Sequence, residues 1–319
     1  MTVLSKLAAT ELSALTRGIG AVHLAISGRV FRTLGPSAVP VRIWHDTVAR
    51  GTYAAVSGGL RSTALLPLEA SPAVLGALNG LIGDELHAAE SPLAIGMDAA
   101  KVSEPRLPNV LVWVHGLGET EHVWGYEDLP GWTSVHVRYN TGRAIADNGA
   151  ELAALIEGLD WPVERIAVVG HSMGGLVARS ACARGGAWTS RVTHTISLGT
   201  PHDGAPLAQA VHGLEAMLRV APETRPFARF LGRRSAGIRD LRRGIRDPLL
   251  ETARHGFVAA TITRNARHPA GRVFGDWLVL SPSASGEGDL LALGGAHHLA
   301  LLNHPEVYEQ LKTWLSVAI

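Results

Sequence analysis

The chain has 319 residues, 46% of them hydrophobic and 18% charged, which supports a large buried core. A formal net charge of +1 gives no global field suited to nucleic acid. The one cysteine, Cys182, excludes an intrachain disulfide and suits a reducing compartment; its expected role is that of a small buried apolar residue.

Residues 1–27 carry Lys6, Glu11, Arg17 and His23 where a secretory leader needs an unbroken apolar core. No run of about 18 apolar residues occurs, so no spanning helix is expected. A cytoplasmic location is the expectation, with peripheral contact with a membrane surface left open. The first region, 1–92, reads as a helical N-terminal extension packed on a catalytic core. Leu12, Leu15, Ile19, Val22 and Ile26 make one helical stripe, which Gly35-Pro36 ends. Trp44 with Val48, and Val74, Leu75, Leu78 and Ile82, predict two further helices. No catalytic pattern lies in this region.

From residue 93 to 319 the rhythm changes to alternating strands and helices. Pro92–Met97 reads as a strand. Val110–Val114 is an unbroken apolar run, as expected for a strand buried on both faces. Ser134–Tyr139 follows as a strand, then a helix carrying Leu152, Leu155, Ile156 and Leu159 on one face. Arg165–Gly170 is a third strand, Met173 to about Ala183 a helix, and Val192–Leu198 and Gly256–Ile262 are strands. Glu306–Leu315 closes the chain as a helix behind Pro305. This order predicts an α/β fold with a mostly parallel sheet covered by helices on both faces. Residues 204–250 interrupt it as an Arg-rich, helical, lid-like insertion. Its arginines either line a solvated face or meet anionic surfaces.

The chemistry concentrates at Gly170-His171-Ser172-Met173-Gly174, set between a predicted strand and a predicted helix. Reversal within one residue holds the serine in a strained backbone, and glycine at 170 and 174 lets strand and helix approach. Ser172 is the candidate nucleophile, and it needs a base and oxyanion donors. Upstream, Val110–Val114 opens into His115-Gly116-Leu117-Gly118. A loop at this place supplies one backbone N–H and the residue after the serine the other, which assigns Leu117 and Met173. His115 reads as a packing residue of the loop motif rather than a base.

In this fold the triad runs Ser, acid, His along the chain. His297 and His298 occupy the loop before the last helix, and His298, next to the apolar turn, is the favoured base. His304 reads as a capping or surface residue. Phe274-Gly-Asp276-Trp-Leu-Val carries the favoured acid, Asp276. Glu287 and Asp289, in a stretch that reads as a solvated loop, are the alternatives.

Together, Val-His-Gly-Leu-Gly, Gly-His-Ser-Met-Gly-Gly, Leu198-Gly-Thr-Pro-His202-Asp-Gly-Ala-Pro and Gly-Asp276-x-Leu-Val resemble bacterial lipases and esterases of the α/β-hydrolase superfamily. The branch related to GPI inositol deacylase is especially similar. The resemblance covers residues 108–316 and is weak across the insertion. It implies an α/β-hydrolase fold and a serine carboxylic ester hydrolase working through an acyl-enzyme, with an ester or lipid-like small molecule as substrate. The spacing of Asp276 and His298 also resembles that of bacterial triacylglycerol lipases. No cofactor is implied, and neither His202 with Asp203 nor His297 with His298 has the spacing of a metal site. An acyltransferase, thioesterase or amidase would use the same triad, and a silent binding scaffold is the reading from another class.

Overall fold

The computed structural model describes residues 13, 24, 39–62, 71–204, 235–261, 263–264, 284 and 286–316. The described residues fall into two compact units. Helix α1 (Val39–Ser62) belongs to one of them, where the Ser57 hydroxyl meets that of Ser13 at 2.6 Å. The rest of the architecture belongs to the other, which spans Pro72–Gln209 and Arg234–Ile319. The predicted stripe from Leu12 to Ile26, the Gly35-Pro36 stop and most of the insertion, residues 205–234, lie outside the described residues.

Among the described residues seven strands form one sheet: β1 (Asp98–Val102), β2 (Asn109–Val114), β3 (Thr133–Arg138), β4 (Arg165–His171), β5 (Val192–Leu198), β6 (Arg254–Thr261) and β7 (Asp289–Gly294). Their spatial order is β1-β3-β2-β4-β5-β6-β7. Only β1, on β3, is antiparallel; every other pair is parallel. Helices α2 (Pro72–Ala88), α3 (Ile145–Glu157), α4 (Met173–Arg184), α5 (Ala236–Arg243) and α6 (Pro305–Ser316) belong to the same unit.

The apolar run of β2 divides by its period of two. Val110, Val112 and Val114 face a core shared with Leu152 and Ile156 of α3 and with Leu176 and Val177 of α4. Leu111 and Trp113 face the other core, with Leu301 and with Val307, Leu311 and Trp314 of α6. A strand between two cores has no polar face, which is why its sequence does not alternate. Cys182 is buried in the first core, and burial pushes its thiol up to about 12.

Two sequence expectations need correction. Pro92–Met97 is not a strand: the first strand is Asp98–Val102. Leu93 and Ile95 are buried, but Asn79 of α2 satisfies their backbone, donating to the Leu93 carbonyl at 2.8 Å and accepting the Ile95 N–H at 3.0 Å. The stretch before Asp289 is an exposed loop as far as Gly288, but Asp289 itself opens β7, paired in parallel with β6.

Helix α2 lies against the loop that follows β2. A Cβ on Gly80 would stand 3.0 Å from the Gly118 Cα, and one on Gly76 would stand 2.8 Å from the Gly118 carbonyl oxygen. Any larger residue would push helix and loop apart. The segment that opens α5 is anchored too. The Ser235 hydroxyl donates to the Gly80 carbonyl at 2.7 Å, and Asp240 accepts the Ile145 N–H at 3.0 Å.

Candidate active site

Ser172 stands between β4 and α4 with φ +52° and ψ −120°. A β-carbon at positive φ meets the following backbone, so this conformation costs on the order of 1–3 kcal/mol and needs surrounding structure to hold it. That support is visible. The Ser172 N–H donates to the Leu198 carbonyl at the end of β5 at 2.8 Å. A Cβ on Gly170 would overlap the Gly175 backbone, and one on Gly174 would overlap the Val114 carbonyl oxygen. The glycines at 170 and 174 therefore let helix, elbow strand and β2 close on one another, as their sequence positions predict. The Met173 N–H, first in α4, is one of the donors a helix leaves without an intrahelical partner.

The loop after β2 is built against this serine. A Cβ on Gly116 would lie 3.1 Å from the Ser172 Cβ. His115 is fully buried, its ring stacked on Tyr139 with centroids 4.4 Å apart, while the Tyr139 hydroxyl donates to the His115 carbonyl at 2.7 Å. The His115 Nδ1 lies 3.0 Å from the Gly116 carbonyl. Burial pulls this imidazole down to about 4, against the pull of its Gly116 hydrogen bond, so it is neutral near pH 7. The turn closes at Gly118, with φ +73°, whose N–H donates to Thr141 Oγ1 at 3.0 Å. Leu117 stands between these anchors.

His297 and His298, adjacent in sequence, part company in space. His297 is exposed, whereas His298 is 4% exposed and begins a 3-10 turn, His298–Leu302. The His298 ring covers Gly199, where a Cβ would meet its Nδ1 and Cε1 at 3.1 Å. Gly199 follows Leu198, the residue that accepts the Ser172 N–H, so the buried histidine sits over the elbow. The His304 carbonyl accepts the Tyr308 N–H at 3.1 Å in the first turn of α6. Asp276 lies outside the described residues. Asp289 and Glu287 are exposed and stand at the start of β7, whereas His298 follows its end. At a rise of about 3.3 Å per residue the strand itself separates them by about 16 Å.

His202 of the Gly-Thr-Pro-His stretch is buried behind the elbow helix. Its Nδ1 lies 3.2 Å from Arg179 Nη1 on α4, and burial with the nearby Arg179 charge pulls it down to about 4. Thr200 is fully buried where any Cβ on Gly175 would overlap its side chain. These residues seat α4.

Sequence reasoning missed Glu119. Its Oε2 accepts the Gly116 N–H at 2.6 Å and lies 3.1 Å from His171 Nδ1. Burial alone would raise this carboxyl, but the His171 charge and hydrogen bond, with the Gly116 N–H, outweigh it and hold the carboxyl below the usual range. The only sequence signal was an acid three residues beyond His-Gly.

Two solved structures share the architecture built up here. Lipase BlEst2 of Bacillus licheniformis in its mature form superposes with a TM-score of 0.51 and 22% identity, over 67% of this chain and 94% of that one. Its propeptide form gives 0.54 and 21%, over 68% of this chain and 52% of that one. The chain has the α/β-hydrolase fold. Residues 150–228 also match the model of the PGAP1-like alpha/beta domain. No curated protein matches the sequence. Ser172 follows β4 and the turn after β7 carries His298, so both lie beyond the C-terminal ends of parallel strands.

Proposed function

We propose that this protein is a serine carboxylic ester hydrolase in which Ser172 attacks the ester carbonyl and His298 takes its proton. The observation that carries the reading is the pairing of a serine at φ +52° with a buried histidine over the adjoining Gly199. The N–H groups of Leu117 and Met173 are assigned to the oxyanion, each worth about 2.7–4 kcal/mol of barrier in comparable sites. Asp276 is assigned to orient His298 and to stabilise its imidazolium. The alcohol leaves with the proton from His298, giving an acyl-enzyme. Water, deprotonated by the same imidazole, then releases the acid and free Ser172. No step calls on a metal or cofactor.

The same acyl-enzyme would serve an acyltransferase, thioesterase or amidase, because water, alcohol and amine compete for one intermediate. The lipase name of the structural neighbours favours oxygen esters of lipid-like molecules as substrates. The insertion at 204–250 is proposed as the wall or lid of the acyl pocket, and the region before 93 as an extension outside the chemistry. Among the described residues no helix is long and apolar enough to cross a membrane. Cytoplasmic residence with peripheral surface contact is the corresponding proposal.

Hydrolysis of p-nitrophenyl esters of graded chain length, soluble and emulsified, tests the reading, alongside labelling by a fluorophosphonate. Turnover that depends on Ser172 supports it; turnover retained in Ser172→Ala rejects it.

A further inference from the structure

Glu119 has no task in the scheme above, yet it is a half-buried anion beside the elbow. Its side chain is 13% exposed and that of His171 is fully buried. The geometry runs through three segments. Glu119 Oε2 holds the Gly116 N–H at 2.6 Å and faces His171 Nδ1 at 3.1 Å. On the far side of the same ring, His171 Nε2 lies 3.3 Å from the His298 carbonyl oxygen. A carbonyl oxygen and a carboxylate can only accept, so a hydrogen bond at each end of the ring requires a hydrogen on each ring nitrogen.

We propose that Glu119 is a positioning residue that, through His171, ties the oxyanion loop to the turn carrying the general base. The inference rests on the ester-hydrolase reading for its catalytic consequence but not for its geometry. Two facts make the tie matter. Gly116-Leu117-Gly118 has a single side chain to pack, so hydrogen bonds must set its course. Glu119 supplies two of these, because its N–H also donates to the Gly116 carbonyl at 3.2 Å. The His298 turn stands on no strand of its own, and His171 is joined covalently to Ser172. One side chain thus relates donor, nucleophile and base. Net stability is a poor explanation for such a pair, since desolvation largely offsets its attraction. The groups around it are His115 and Glu121 on the loop side and His298 across the ring, with the Trp124 ring edge-on to His171 at 6.4 Å.

Glu119→Gln keeps the shape and removes the charge. The expected result on a soluble p-nitrophenyl ester is a kcat lowered about 10²-fold, as for a misplaced catalytic group, with KM within about twofold. Histidine nitrogen NMR of the full chain, with His171→Asn assigning the signals, reads the link without turnover. The link is expected to show as hydrogens on both His171 ring nitrogens in wild type and on one in Glu119→Gln. A single ring hydrogen in wild type overturns the proposal, whether or not any variant folds. So does a Glu119→Gln enzyme with wild-type kcat. If wild type turns over no ester, the hydrolase reading falls, and the two-hydrogen signature and its loss in Glu119→Gln still decide the link.

Discussion

Gly174 and His115 stand so close that a Cβ on the first would lie 2.6 Å from the carbonyl oxygen of the second. Helix α4 and the end of β2 are therefore in backbone contact, with no room for a methyl group. Gly174→Ala is expected to destabilise by about 1–3 kcal/mol, the usual cost of overpacking. It should also displace Met173 and slow fluorophosphonate labelling of Ser172. Thermal melting and labelling rate measure the two effects. An unchanged labelling rate would show that the contact does not set the elbow.

The strain at Ser172 can be weighed separately from its chemistry. Ser172→Ala and Ser172→Gly should both lose turnover by a factor of about 10³ or more. Glycine alone tolerates φ +52° freely, so Ser172→Gly should be more stable than Ser172→Ala by about 1 kcal/mol. Chemical denaturation of the two variants makes the comparison. Equal stability would mean that the elbow stores no strain.

His298→Ala should lower kcat about 10³-fold or more, while His297→Ala, changing an exposed neighbour, should stay near wild type. Asp276→Asn is expected to cost about 10⁴-fold through the wrong imidazole tautomer, and Asp289→Asn, at the far end of β7, very little. Steady-state kinetics on the four variants decides all of them. Inactivity of His297→Ala alone would reverse the assignment of the base.

Acid should destabilise the fold through its buried histidines. Burial lowers His115, His136, His194 and His202 to about 4 each. Their unfolded forms take a proton near pH 6.5. Between those values the unfolded chain binds more protons, so stability rises with pH across the window and is lost as pH falls from 6.5 towards 4. Melting temperature against pH checks this. His115→Gln should flatten the slope, and an unchanged slope would remove His115 from the account.

The parts of the fold most legible in the sequence were those with one dominant physical cause. Val110–Val114 and Ile166–Val169 are buried on both faces, so their composition announces a central strand. The elbow was legible because Gly170 and Gly174 answer a demand for backbone contact that no other residue meets. β7 was not, because in Asp289–Gly294 only Leu293 is buried, and an exposed outer strand writes little pattern. Pro92–Met97 misled because burial of Leu93 and Ile95 was read as pairing, whereas the Asn79 side chain takes over those bonds. Glu119 left little trace because its partner His171 lies 52 residues away in the chain, and their meeting is a property of the fold.

The order of the strands places the proposed nucleophile and the proposed base on supports of unequal stiffness. Ser172 leaves β4, hydrogen-bonded on both sides by β2 and β5, whereas His298 follows β7, an edge strand among the described residues, paired there with β6 alone. Local opening starts at such margins, since fewer bonds must break there. Amide exchange should then find the base segment yielding before the nucleophile segment. Heat would disarm the protein by letting its proton acceptor drift away while the elbow, still folded, kept its serine.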